Sequence, residues 1–480
     1  MKKLRYAPVA ALIIAATLIQ SSCAVNPVTG KSEFMLVSEQ DEIAMGKQSD
    51  EEIGKVYGFY DDPELSAYGD RSGQSVARKT HQPDKVYHFK VLDTPVINAF
   101  AVPGGYVYVT RGILAYMNDE AELAGVIGHE LGHVNARHIA RQITKQQLTM
   151  LGLNLGMAMS KTVQKYAGLA EFGASMLFLK FSRDDERQAD DLGVEYASRA
   201  GFDTYRMAAF FETLERLNPA GAGLPEFFST HPNPANRLEA VKSRTAEWQS
   251  GLALGRYAVN RSEYLKAVDG IVYGDDPRQG YVEGNAFYHP GMTFTFPVPA
   301  GWTVNNTPAQ VQMFTEKQDA AILFMTAGGT SVSAAADQFI SEAGATVISR
   351  DKLTVGGLQA EKIVANVTSG EDALQTMSYF ILKGGTVHVF HGLADRNQYA
   401  QYSPVFSKTM GGFRNLTDQS KINVKPQTLA VRTATRSGTL GATLKQFGTA
   451  EADIEQRTIM NGMLAAQTVA AGTMIKTVVK

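Results

Sequence analysis

The feature that most constrains this chain is a long helix whose small residues demand a close neighbour. Acids Asp119, Glu120 and Glu122 follow Asn118, a good N-cap, and suit the positive end of a helix that the pattern extends from Asp119 to about Lys145. Leu123, Ile127, Leu131 and Val134 recur at helical spacing and predict a core stripe. Ala121, Gly125, Gly128, Gly132 and Ala136 form a second stripe. Each glycine inside a helix costs about 1 kcal/mol relative to alanine, so several together predict a second helix pressed against this one.

The run His129-Glu130-Leu131-Gly132-His133 lies on that helix. Residues four apart are separated by only about 40° around a helix, so the two imidazoles share one face and can share one ion. Zinc suits neutral imidazole with carboxylate, and a catalytic site keeps one position open. Glu130 then stands where it can take a proton from water, whose pKa bound zinc lowers from 15.7 to about 7. With nine histidines in 480 residues, chance produces such a run on the order of once in a hundred chains, so context must carry the reading.

Context comes from a second helix, Arg183 to Ala200, opened by Ser182 and Asp185 in the manner of a capping box. Its Glu186 is the candidate third ligand. Asp190, one turn on, can accept a hydrogen bond from the distal nitrogen of a ligand histidine. Without the motif both would read as solvated helix carboxylates. His231, in Ser229-Thr230-His231-Pro232 with Arg237 six residues later, follows the Gly/Pro loop Asn218 to Pro225. Three readings stay open for it: donor to a developing oxyanion, fourth ligand that shuts the site, or surface histidine before a turn proline. His138 is expected to point away from the ligand face and to be structural.

Length predicts two to four domains. A net charge of -2 offers no basic excess for phosphates, so nucleic acid is not an expected partner. Lys2, Lys3 and Arg5, the apolar stretch Val9 to Ile19, then Ser21, Ser22 and Cys23 resemble a bacterial lipoprotein signal over residues 1–22, with Cys23 lipidated. Gln20 departs from that pattern, and Ala24 follows the convention for outer-membrane delivery. The competing reading is a simple cleaved signal that leaves a free thiol. Cys23 is the only cysteine, so no disulfide forms within the chain and a metal site must use His, Asp and Glu. Residues 251–285 read as a turn-rich linker, 286–418 as an α+β module of strands with helices near Ala334–Glu342 and Tyr399–Met410, and 425–480 as a small separate module. The Met-rich stretch 148–180 reads as core or as a hydrophobic flap.

Asn98-Ala-Phe-Ala-Val-Pro-Gly-Gly105, the HExxH helix with Asn135-Ala-Arg-His138, Ser182-Arg183-x-x-Glu186-x-x-Ala189-Asp190, and His231-Pro232 with Arg237 resemble the bacterial BepA/LoiP/HtpX-type metallopeptidases. These are relatives of the CAAX prenyl protease in the gluzincin clan. The resemblance implies an α+β multidomain protein whose residues 23–250 form a mostly helical peptidase domain with a small edge-strand sheet. It implies one zinc ion on His129, His133 and Glu186, Glu130 as general base, His231 as mobile switch or transition-state residue, and Asp190 and Arg237 as support. It also implies that Tyr106 to Thr110 is an edge strand gripping substrate main chain, with Asn98, Tyr106, Val107 and Tyr108 in contact. Membrane-spanning helices of HtpX-type members and tetratricopeptide repeats of BepA-type members have no counterpart here. The middle module resembles the PsbP-like fold loosely, and the tail is similar to a LysM-type peptidoglycan-binding domain. The family reading implies a protease at the periplasmic face of the outer membrane, held by its lipid. Its clients would be unfolded or misassembled envelope proteins, with peptidoglycan contact through the tail. The inner membrane and the free periplasm are the alternative sites. A latched assembly factor and a peptidoglycan-associated scaffold are the competing functions.

Overall fold

The computed structural model describes residues 23–154, 180–217, 226–232, 236–252, 254–327, 331–369 and 372–480. The signal residues 1–22, most of the Met-rich stretch and the loop 218–225 lie outside them. The chain is a multidomain α+β protein of two compact units. The first comprises, in the main, residues through Gly274 together with Thr428–Val479, and the second Asp275–Gln427. Among the described residues no helix is long and apolar enough to cross a membrane.

The first unit opens with α1 (Glu39–Tyr57), started by a capping box between Ser38 and Asp41, and α2 (Pro63–Ala77), capped by Asp62 with proline in its first turn. Three strands follow: β1 (His88–Leu92), β2 (Ala99–Val102) and β3 (Tyr106–Thr110). Their order is β1-β3-β2, with β1 parallel and β2 antiparallel to β3. Tyr106–Thr110 is therefore the central strand, which corrects the expectation that it forms the edge. Gly104 and Gly105, at φ 79° and 91°, fold the chain straight back, so β3 pairs with β2 on one side and leaves its other side to β1. The edge strands are β1 and β2.

Helix α3 (Glu120–Asn135) is capped by Asp119, one residue later than expected, whose side chain accepts from the Glu122 amide. It does not run on to Lys145. Arg137 takes a left-handed conformation, φ 55°, and a separate helix α4 (His138–Asn154) begins. The break is held from outside the helix: the Arg137 guanidinium donates to the Val37 carbonyl at 3.0 Å and to Glu42 at 3.1 Å. Then come α5 (Arg183–Arg199), α6 (Tyr205–Arg216), α7 (Arg237–Leu252) and α8 (Arg261–Val268). The small-residue stripe of α3 seats two of these. A Cβ on Gly128 would lie 2.9 Å from the Gly193 carbonyl, and one on Gly132 3.0 Å from the Ala189 backbone, both on α5. One on Gly125 would strike Met207 of α6 at 2.7 Å.

The stretch expected to be a linker carries α8, whose Tyr264 and Leu265 are fully buried, with the Tyr264 hydroxyl donating to the Leu114 carbonyl at 2.7 Å. The tail is likewise not set apart. Thr428–Thr433 pairs antiparallel with Met474–Val479 around the helices Leu440–Gln446 and Ile454–Met460, and all of it belongs to the first unit. Lys476 is fully buried, and its Nζ donates to the carbonyls of Ala115 at 2.8 Å and Met117 at 2.5 Å, just ahead of α3. Asn461 fixes the Lys476 backbone through two bonds of 2.9 Å. Burial holds the Lys476 amine well below the ordinary lysine value, and its bonds make it a fastener, since losing them would leave buried carbonyls unpaired.

The second unit is a seven-stranded antiparallel sheet in the order Thr346–Val355, Leu358–Ser369, Asp372–Lys383, Thr386–Asp395, Ala320–Ala327, Gln310–Phe314, Thr303–Asn306. A four-stranded sheet adds Arg414–Asn415, Phe294–Pro297, Ala286–His289 and Tyr281–Glu283. Phe287, Phe294, Phe296, Phe324, Phe390 and Phe406 fill one core, while helix Val332–Glu342 covers a second core of Ile363, Phe380 and Val389. The ten-residue strand Thr346–Val355 was not expected. Its Ser-Arg-Asp-Lys run is mostly exposed at the sheet edge, so it carries no apolar alternation to announce it.

Candidate metal centre

Four side chains converge in the first unit. Helix α3 supplies His129 and His133, α5 supplies Glu186, and His231 follows the short helical segment Glu226–Thr230. All four are buried, and one ligand atom from each lies within 4.8 Å of every other. The glycine-seated contact between α3 and α5 makes this possible, because side chains at Gly128 and Gly132 would push Glu186 away.

Nε2 of His133 stands 3.1 Å from Nε2 of His129 and 3.5 Å from Oε1 of Glu186. Nε2 of His129 is 3.6 Å from Oε2 of Glu186 and 3.3 Å from Nδ1 of His231, which is itself 3.0 Å from Oε1 of Glu186. Tetrahedral ligands at about 2.0–2.1 Å from one ion lie roughly 3.3–3.4 Å apart, so these separations fit a single divalent cation. Orphaned atoms test the same fit: Oε2 of Glu186, Oε1 of Glu130 and Nε2 of His231 are buried without a hydrogen-bond partner, a state buried polar groups rarely adopt unless a ligand completes them.

The surrounding shell fixes each donor. Nδ1 of His129 bonds Oδ1 of Asp190 at 2.9 Å, and the Arg237 guanidinium donates to the same oxygen at 2.7 Å. Arg237 is buried over the rings of Phe211, at 4.1 Å, and Phe227. The His133 ring stacks on Phe181 at 3.9 Å and that of His231 on Phe227 at 4.8 Å. Glu130 sits beside the four, its Oε1 3.6 Å from Nε2 of His231.

Electrostatics separate the two glutamates. Burial pushes the Glu130 carboxyl above its ordinary value, against the pull of His231 and His129. Glu186 is equally desolvated, but His231, His133 and His129 outweigh that and hold it well below the usual carboxylate range. Burial drives His133 down, which favours the neutral imidazole a metal requires. For His231 burial opposes charge, yet Glu186 and Glu130 prevail and raise its pKa.

The structure brings His129, Glu130, His133, Glu186, Asp190, His231 and Arg237 into one cluster. Of the expected substrate strand, Tyr106, Val107 and Tyr108 are in the sheet centre, and Tyr108 donates to Asp50. The strand on the Glu130 side is β2, whose Ala101 amide favours the ionised carboxylate of Glu130. Asn98 directly precedes it and is buried. The side chain of Cys23 lies outside the described residues, although its backbone pairs with Phe34 in a short hairpin. His138 is the residue that sequence reasoning misplaced: its Nδ1 lies 2.9 Å from Nδ1 of His133. A continuous helix would have carried it away, and the left-handed Arg137 turns it back.

A helix pair held by small residues, two histidines one turn apart, a glutamate from the partner helix and a buried carboxylate alongside define a metallopeptidase domain. Residues 63–245 match the model of Peptidase family M48. The chain is similar to the "Beta-barrel assembly-enhancing protease" of Escherichia coli strain K12, 30% identical over 251 residues that cover 49% of this chain and 51% of the relative. It is 30% identical to "Metalloprotease YcaL" of the same strain over 33% of this chain and 62% of that one. With "Mitochondrial metalloendopeptidase OMA1" of Arabidopsis thaliana it shares 32% identity, over 38% and 36% of the two chains. The chain thus spans about half the length of the assembly-enhancing relatives it matches. Among solved structures, cyanobacterial PsbP from Synechocystis aligns over 28% of this chain and 96% of its own, with 12% identity and a TM-score of 0.25. At that score the likeness assigns no fold.

Proposed function

We propose that this protein is a zinc-dependent endopeptidase of the bacterial cell envelope that hydrolyses peptide bonds of misfolded or misassembled envelope proteins. The observation that carries the reading is the buried convergence of His129, His133 and Glu186 with Glu130 alongside. The three donors, two imidazoles and a carboxylate, are the set zinc prefers. Zinc bound there supplies a Lewis acid that polarises a carbonyl and makes water acidic near neutral pH. Glu130 accepts the proton of the attacking water, and burial has already raised its affinity for that proton. Asp190, clamped by Arg237, holds His129 in the tautomer that presents Nε2. Substrate main chain adds to the edge of the sheet at β2, Ala99–Val102, rather than at Tyr106–Tyr108.

A second reading is favoured by one observation. Nδ1 of His231 occupies the fourth donor position, 3.0 Å from Glu186 and 3.3 Å from His129. That supports a latched protein whose peptidase is closed at rest and whose main task is assembly, as in the name of the assembly-enhancing relatives. Zinc analysis and cleavage of an unfolded protein by the form lacking residues 1–22 test both readings, in wild type and His231→Ala. Increased cleavage in the variant supports the latch, and lost cleavage supports an oxyanion donor. If neither protein cleaves and neither binds zinc, the endopeptidase reading fails.

Anchoring belongs to the same proposal: lipidation of Cys23 would hold the protein at the periplasmic face of the outer membrane, each buried methylene adding about 0.8 kcal/mol. Intact-mass measurement of the membrane-extracted chain decides it, since an unmodified Cys23 removes the anchor. The strand-helix-helix-strand order of the tail supports a LysM-like reading with peptidoglycan contact. Because the tail is fastened to the peptidase unit, the whole chain is the right reagent for co-sedimentation with purified peptidoglycan, and failure to sediment rejects that contact.

A further inference from the structure

The two histidines of α3 are supported in unlike ways. Nδ1 of His129 meets a carboxylate, Asp190, that is itself paired with Arg237. Nδ1 of His133 meets another imidazole, that of His138, at 2.9 Å, and the far nitrogen of His138 lies 3.0 Å from Oε1 of Gln188 on α5. The His133 ring directs Nε2 into the cluster. A nitrogen that offers its lone pair to a cation leaves the ring proton on the other one, so Nδ1 of His133 must donate. Nδ1 of His138 must then accept, which puts the His138 proton on Nε2, where the Gln188 carbonyl oxygen receives it. The reverse arrangement would oppose two N–H groups at 2.9 Å. The proton order along His133, His138 and Gln188 is therefore unique.

We infer that His138 is a positioning residue that fixes the tautomer and ring orientation of His133 through this relay and so sets the affinity of the centre for its metal. The inference rests on the metallopeptidase reading. Geometry supports it further: the relay exists only because Arg137 adopts φ 55°, a conformation disfavoured for a side-chain-bearing residue and held by Glu42 and the Val37 carbonyl. Phe181 lies against both rings, stacked on His133 and tilted toward His138 at 6.3 Å, which limits their rotation. Beyond the Gln188 amide, Oδ1 of Asp185 lies 3.6 Å from the same His138 nitrogen, so the relay ends on two acceptors, both of which call for the proton on Nε2.

The test titrates Zn2+ alone against a chromophoric chelator in the Glu130→Gln background, which prevents self-cleavage, and adds Co2+ for its visible spectrum. His138→Leu removes the acceptor and should weaken zinc binding about 10–100-fold while altering the Co2+ bands. His138→Asn returns an acceptor oxygen near the Nδ1 position and should recover most of that loss. Gln188→Ala, on a half-buried site, should weaken binding less than His138→Leu and in the same direction. Zinc affinity in His138→Leu equal to that of the parent overturns the inference, as does His138→Asn binding no better than His138→Leu. Should His138→Leu fail to fold, unchanged affinity in Gln188→Ala overturns it instead. If the parent itself takes up no zinc, the metallopeptidase reading has failed, a result distinct from either of these.

Discussion

Two buried polar assemblies lie along the same helix, α3, and they differ in whether their ionisable side chains are satisfied. At its start Asp119 caps the helix and pairs with Arg206 at 2.6 Å, while Glu122 accepts from Arg206 at 3.0 Å and from the Asn118 amide at 2.7 Å. Lys476 from the tail secures the two carbonyls just upstream. Burial, with the Asp119 charge beside it, pushes the Glu122 carboxyl up to about 8. Its acceptors are nonetheless filled. About two turns further along, Glu130 and the Glu186, His231 and Arg237 packed beside it all bear buried atoms without partners. Both places are desolvated and charged, so burial alone does not mark function. Single buried atoms without partners occur in both places, Oδ1 of Asn118 beside Glu122 among them; what marks the second assembly is that orphaned carboxylate, imidazole and guanidinium atoms converge there, where an architectural cluster pairs its ionisable groups with one another. The first assembly builds the domain, and the second is arranged for a cation and a reacting water.

That contrast is open to attack by substitution. The largest effect is expected from Glu130→Gln: cleavage of an unfolded protein should fall about 10²–10⁴-fold with zinc content and melting temperature unchanged or higher. A concomitant loss of stability would make Glu130 architectural. Lys476→Met should do the opposite, lowering unfolding free energy by about 1–3 kcal/mol in denaturant titration while the folded fraction still binds zinc. Gly128→Ala forces α5 outward and should cost about 1–3 kcal/mol, and it should also loosen zinc binding, since Glu186 rides on α5. Stability loss without a change in affinity would separate the helix contact from the site. Asp190→Asn should have the smallest effect on the fold and weaken zinc about 10–100-fold by chelator competition. An equal effect from Glu122→Gln would erase the distinction between the two assemblies.

The parts of the centre that could be read from the chain are those whose geometry is local. His129 and His133 share a helix face by spacing alone, and Glu186 and Asp190 share another behind a capping box. The glycine stripe foretold that these faces meet. What escaped depends on long-range choices. Strand order put Tyr106–Thr110 in the middle of its sheet, although its own pattern suits edge and centre equally. The left-handed Arg137, held by Glu42 some 95 residues away in sequence, redirected His138. Lys476 sits in a six-residue strand, where a lysine ordinarily signals a solvated face, and only the packing of the tail turned it inward. The unit of Asp275–Gln427 was legible wherever apolar residues alternate, and not at the charged edge strand Thr346–Val355.

Metal content measured on protein purified with limiting Zn2+ tests the central claim most directly, comparing wild type with Glu186→Ala. One zinc per chain in wild type and near none in the variant is the predicted result. Metal-free wild-type protein, or full occupancy after removal of Glu186, would contradict a cation held jointly by α3 and α5.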